Sequence, residues 1–114
     1  MGSQTEERID QLFYALSDQS RRKMLLRLAK KSLNISELGE PLGMTKQAVS
    51  KHLKILEDVG LITKEKDGRI QHCQFNPKAL DPVQKTVNQY REFWNQQLSV
   101  LDQYIEATKN KENL

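Results

Sequence analysis

Apolar residues recur at helical spacing along the first half of the chain. Ile9, Leu12, Phe13 and Leu16 fall at i, i+3, i+4 and i+7, one face of a helix predicted over residues 5–16. Asp18 is a good N-cap for a second helix over 19–30. Met24, Leu25, Leu28 and Ala29 supply its buried stripe, and Lys30 and Lys31 complement the dipole at its end. Asn34, with Glu37 three residues on, forms a capping box that starts a short third helix. Pro41 removes a backbone donor there, so the helix is expected to bend or end early, with Gly43 closing it. Thr45 opens a fourth helix that runs to Val59 and stops at Gly60. A loosely alternating run over 61–66 leads to the turn signal Asp67-Gly68, and a return strand over 70–76 ends at Pro77. Asp81-Pro82 begins a last helix of about 27 residues at 81–108, by its apolar periodicity, and residues 109–114 are expected to fray.

The fourth helix carries the most information. At about 100° per residue, Ala48, Val49, Leu53, Ile55, Leu56 and Val59 cluster within about 80° of one direction. The other side presents Lys46, Gln47, Ser50, Lys51 and Lys54, with Glu57 and Asp58 at the far end. Donors and short polar groups near a helix N-terminus suit base edges and phosphates. A short helix, a Gly-containing turn and such a helix make a helix-turn-helix, expected at 34–60. The hairpin that follows, at 61–76, makes a wing whose tip gathers Lys64, Lys66 and Arg69 beside Gly68. The expected DNA-contacting residues are Thr45, Lys46, Gln47, Ser50, Lys51, Lys54, Lys64, Lys66 and Arg69. His52 falls in the middle of the apolar face and is expected to pack, with a backbone carbonyl as the simplest partner for its imidazole. Cys73 shares a strand face with Gln71 and Phe75 and is expected to be a small buried hydrophobe. His72 is expected to face solvent or backbone.

In the last helix Val83, Val87, Tyr90, Trp94, Leu98, Leu101 and Ile105 follow a near-heptad seam. At about 1.5 Å per residue the helix is about 40 Å long. A domain of this size is only about 26 Å across, so the helix cannot bury that seam within its own chain. A homodimer is expected, with Ile9, Leu12 and Phe13 of the first helix joining the seam at the interface.

Charge sharpens this picture. The net charge is +3, but residues 21–72 hold 12 Lys/Arg against 6 Asp/Glu, whereas the first 20 residues are acidic. A basic middle suits a polyanion-binding face. At 114 residues the chain is expected to form a single winged helix-turn-helix domain, mainly α with a small β-hairpin. One cysteine excludes an internal disulfide, and no apolar run approaches the ~20 residues of a membrane span. A soluble cytoplasmic protein is the expectation. No phosphate-binding glycine loop and no nucleophile–base constellation are found, so an enzyme is not expected.

Residues 8–76 resemble the ArsR/SmtB-type winged helix-turn-helix repressors. The resemblance rests on Ala15-Leu16-Ser17-Asp18-Gln19-Ser20-Arg21, on Ile35-Ser36-Glu37-Leu38 through Thr45, on Val49-Ser50-Lys51-His52-Leu53 through Ile62, and on Gly68-Arg69. It implies a transcriptional regulator, most simply a repressor, that binds an inverted repeat in double-stranded DNA as a homodimer. The family's third-helix metal site has two cysteines in a Cys-Val-Cys-Asp-Leu run, where this chain has Asn34-Ile35-Ser36-Glu37-Leu38. Its last-helix zinc site needs histidines, and this last helix has none. The resemblance is therefore to a branch without the recognised metal sites: no metal or cofactor is expected, and the inducer is unknown. The alternative is a protein-interaction module on the same scaffold, which would show apolar anchors rather than Lys, Gln and Ser on the fourth helix.

Overall fold

The computed structural model describes residues 2–112. The order of elements is α1 (Gly2–Leu16), α2 (Gln19–Lys30), β1 (Leu33–Asn34), α3 (Ile35–Gly39), α4 (Lys46–Asp58), β2 (Ile62–Asp67), β3 (Ile70–Phe75) and α5 (Asp81–Glu112). Single 3₁₀ turns, Glu40–Leu42 and Pro77–Leu80, follow α3 and β3. The five helices and the hairpin are those the pattern predicts.

Local chemistry sets the boundaries. The Asp18 carboxylate accepts from the Arg21 amide at 3.0 Å and starts α2. That hydrogen bond is the main reason its pKa lies below the ordinary carboxylate value. Asn34 and Glu37 exchange capping-box bonds of 2.8 and 3.0 Å. α3 ends at Gly39, and Pro41 sits in the tighter turn that follows, where its missing N–H costs nothing. Gly43 has φ +66°, a left-handed geometry open to glycine, and turns the chain into α4.

The core collects one stripe from each element. Leu12 and Ala15 of α1, Met24, Leu25 and Leu28 of α2, Leu38 of α3, and Val49, Leu53 and Leu56 of α4 are buried together. Leu61, Ile62 and Cys73 close it from the hairpin. Leu12 is fully buried in this core, so it has no surface to offer the dimer interface expected of it. The reason is helical phase: Leu12 points with Ala15 to the inside of the chain, while Phe13 stays 42% exposed. Ala29 likewise lies outside the buried stripe of α2.

The wing holds one more strand than expected. β1 pairs antiparallel with β3 (Leu33 with Cys73, Asn34 with His72), giving a three-stranded sheet of order β1-β3-β2. In the hairpin Asp67 pairs with Ile70, so the two-residue loop is Gly68-Arg69 rather than Asp67-Gly68. Positive φ at Gly68 alone fits a glycine-first hairpin turn. Cys73 is buried as expected, and burial pushes its thiol pKa up. A thiol reagent is accordingly expected to label the native protein far more slowly than the urea-unfolded chain at the same pH. Labelling kinetics check this, and equal rates would place Cys73 at the surface.

The residues up to Val83 form one compact unit, and those from Gln84 onward form a second, made of the rest of α5. That helix extends to Glu112, past the predicted end and through most of the expected frayed tail; residues 113 and 114 lie outside the described residues. Val83 at the start of the seam packs against the core, and the seam residues from Val87 on are exposed, from Leu98 at 40% to Tyr90 at 74%. Phe93, Val100 and Tyr104, beside the seam, are 62–70% exposed.

Candidate nucleic-acid interface

A cap at each end and a buried stripe position the polar face of α4. The Thr45 hydroxyl oxygen accepts from the Ala48 amide at 3.2 Å and fixes the first turn. Thr45 is thus committed to a cap, with only its hydroxyl proton left to donate outward. Val49, Leu53 and Leu56 are fully buried on the opposite side. At the far end the Gly60 and Leu61 amides return to the Glu57 and Leu56 carbonyls at 2.9 and 3.0 Å, with Gly60 at φ +80°. This is the Schellman end expected of Gly60, and it aims the chain into the wing.

Lys46, Gln47, Ser50 and Lys51 are all exposed. Lys46 and Ser50 face Lys66, Arg69 and Gln71 of the wing across an open cleft, floored by the start of α3 at Asn34–Ser36. The cleft juxtaposes three cations with four neutral hydrogen-bonding side chains, Asn34, Ser36, Ser50 and Gln71. The capped N-termini of α3 and α4 border it, where helix dipoles favour an anion.

One predicted residue is placed differently. Lys64 is not at the wing tip: it lies mid-strand opposite Cys73, only 20% exposed, and pairs with Glu57 at 3.4 Å. Lys54 is exposed but pairs with Asp58 one turn on, at 3.5 Å. Glu57 and Asp58 at the end of α4 thus lie beside Lys64 and Lys54, and the exposed cations nearer the helix N-terminus and the wing tip are Lys46, Lys51, Lys66 and Arg69.

His52 turns inward as the wheel requires, but its partner is not a backbone carbonyl. Arg21 donates from Nη1 to His52 Nδ1 at 3.2 Å, and Asp18 lies 3.9 Å away. Arginine has no acceptor, so Nδ1 must accept, and the ring carries its proton on Nε2. Two arginines that sequence reasoning passed over hold the motif in place. Arg21 is 5% exposed among apolar residues. Arg27 donates from Nη1 to the carbonyls of Glu37 and Leu38 at 2.8 and 2.7 Å, fastening α3 to α2. The signal for Arg21 was its spacing: with Met24, Leu25 and Leu28 it completes the i, i+3, i+4, i+7 stripe.

Among the described residues no group of three or more His, Cys, Asp or Glu is placed to hold a metal ion. Among the same residues no helix is long and apolar enough to cross a membrane.

Short helix, turn, exposed second helix and three-stranded wing define a winged helix-turn-helix, a DNA-binding class. The family model described as "Bacterial regulatory protein, arsR family" matches residues 18–64. The chain is 36% identical over 83 residues to the uncharacterized HTH-type transcriptional regulator YuzN of Bacillus subtilis (strain 168), which covers 67% of this chain and 90% of that one. It is 32% identical over 80 residues to the arsenical resistance operon repressor of the same organism, covering 69% and 76%. The crystal structure of an ArsR family transcriptional regulator, RHA00566, superposes with a TM-score of 0.73 at 32% identity, covering 79% of this chain and 93% of that one. The chain belongs to the arsR family of bacterial transcriptional regulators.

Proposed function

We propose that this regulator is a repressor that binds an inverted-repeat operator as a homodimer. The cleft between α4 and the wing carries the reading: Lys46, Ser50, Lys66 and Arg69 line it, and no acidic side chain does. A major groove accepts an α-helix of this kind N-terminus first, while the wing lies along the backbone. Gln47 and Ser50 are the side chains assigned to base edges; Lys46, Lys51, Lys66 and Arg69 are assigned to phosphates. The exposed seam of α5 is assigned to the dimer contact, together with Ile9 and Phe13 of α1. Repression follows from the relative named as an operon repressor. The reading makes the protein cytoplasmic, where its DNA is.

Selection from random duplex DNA tests it. The expected product is an imperfect inverted repeat with half-sites about 10 bp apart, or a small multiple of that. No enriched sequence, with monomeric sedimentation at micromolar concentration, would overturn it. The two kinds of contact separate by mutation. Gln47→Ala or Ser50→Ala should cost about 1–3 kcal/mol on the preferred site and relax preference there. Lys66→Ala or Arg69→Ala should weaken all sequences alike and reduce the salt slope by about 1. An unchanged preference in both Gln47→Ala and Ser50→Ala would remove those residues from the base contacts.

A further inference from the structure

We infer that Arg21 is a positioning residue for sequence reading, acting on the recognition helix through His52. The inference rests on α4 being that helix. Arg21 is the one buried charged side chain among the described residues, and each of its side-chain nitrogens has a partner. Nε donates to the Ala15 carbonyl at 2.8 Å, Nη2 to the Tyr14 carbonyl at 3.0 Å and Nη1 to His52 Nδ1 at 3.2 Å. Its guanidinium also stands over the Tyr14 ring, 5.1 Å from the centroid.

These bonds join three helices. Tyr14 and Ala15 belong to the last turn of α1, where carbonyls lack intrahelical partners and a cation is favoured. Arg21 itself is held in the first turn of α2, its amide on the Asp18 carboxylate. His52 is the middle of α4 and follows Ser50 and Lys51 directly. The remaining hold on α4 at this point is Val49 and Leu53, fully buried apolar side chains. Apolar packing confines α4 but is non-directional. A planar guanidinium already fixed at two carbonyls adds a direction, holding one N–H on His52. Base contacts at Gln47 and Ser50 depend on the roll of α4, because hydrogen bonds weaken steeply with misalignment. Arg21 therefore sets the roll of the reading face while lying outside the interface itself.

The test compares folded proteins. Arg21 variants risk unfolding, so His52 is changed first. His52→Leu keeps apolar bulk and removes the acceptor; His52→Asn places a carbonyl oxygen about where Nδ1 lies. Three quantities are measured well below every melting midpoint and at one salt concentration: affinity for the selected site, affinity for an unrelated duplex, and Tm. His52→Leu is expected to lower the specific-to-nonspecific ratio about tenfold, the scale of one lost base contact, with nonspecific affinity unchanged. His52→Asn is expected to restore most of the ratio. Arg21→Lys, which keeps the charge and loses the fork, should lower the ratio alone and add nothing on top of His52→Leu. A wild-type ratio in His52→Leu, whatever its Tm, overturns the inference by making the contact purely structural. So does additivity of the two changes, which would have His52 acting without Arg21. If the wild-type protein itself shows no preferred sequence, the parent reading of α4 falls, and the inference with it.

Discussion

Replacing Trp94 and Leu98 together by glutamate is expected to yield a monomer that loses about 100-fold or more of its affinity for the inverted repeat. Both side chains lie on the α5 seam, 61% and 40% exposed. Burial of a large side chain contributes about 1.5–3 kcal/mol, and a two-fold interface counts each change twice. Four buried carboxylates facing an apolar seam would be prohibitive. Joining two reading heads makes the second half-site an intramolecular event, and avidity of this kind is worth about 10²–10⁴ in affinity. The affinity for a single half-site should remain, because Lys46, Gln47, Ser50, Lys66 and Arg69 are untouched. The breadth of apolar surface on α5 supports the choice. Phe93, Val100 and Tyr104 flank the seam, so the apolar arc covers about 160° at 100° per residue. An arc that wide suits packing against two helices, as an α5 mate and an α1 would provide, rather than one coiled-coil partner. Sedimentation velocity and titration with whole and half operators make the comparison. A double variant that still sediments as a dimer at micromolar concentration would place the interface elsewhere.

What the sequence revealed, and what it hid, divides by range of interaction. Caps and turns are local chemistry, so Asp18, the Asn34–Glu37 box, Thr45, Gly43 and Gly60 could be located from residue type and spacing. The phase of α4 was equally legible, since six apolar positions fix one direction, and His52 was correctly turned inward with them. Partners distant in sequence were not. β1 is two residues long, too short for alternation to register, and exists because β3 pairs with it. His52 and Arg21 are 31 residues apart, so the wheel gave the direction of the imidazole and not what it would meet. Lys64 looked like a tip cation because strand residues near a turn usually are; its pairing with Glu57 needs the path of the chain from α4 into β2. Leu12 satisfied both the first-helix stripe and the dimer expectation, and only the packed core shows that one chain already uses it. The basic cleft itself was readable as a set of residues, but its composition was not: Lys46, Ser50, Lys66 and Arg69 line it together, whereas Lys64 sits mid-strand beside Glu57.

Gly39→Ala is expected to destabilise the protein by about 1–3 kcal/mol, the usual cost of forcing one extra carbon into a packed core. Gly39 is buried where α3 gives way to the turn before α4. Its φ is −89°, so the backbone itself does not demand glycine. The demand is space: a Cβ there would stand 2.5 Å from Val49 Cγ2 and 3.4 Å from the Met44 carbonyl oxygen. Val49 is fully buried and β-branched, with one strongly preferred rotamer in a helix, so it cannot swing aside. The strain must then push α4 away from α3. Val49 lies between Gln47 and Ser50, so that displacement falls on the reading face, and operator preference should drop along with stability. The cause can be isolated by removing the obstructing methyls. Val49→Ala alone leaves a small cavity and also destabilises, but in the Gly39→Ala/Val49→Ala double variant the new Cβ occupies part of that space. The double variant should be more stable than the sum of the single changes predicts, by about 0.5–3 kcal/mol. Urea unfolding of the four proteins measures this coupling. Additivity within about 0.5 kcal/mol would mean that Gly39 is not held small by Val49, and that α3 and α4 are not packed at the closeness that orients α4.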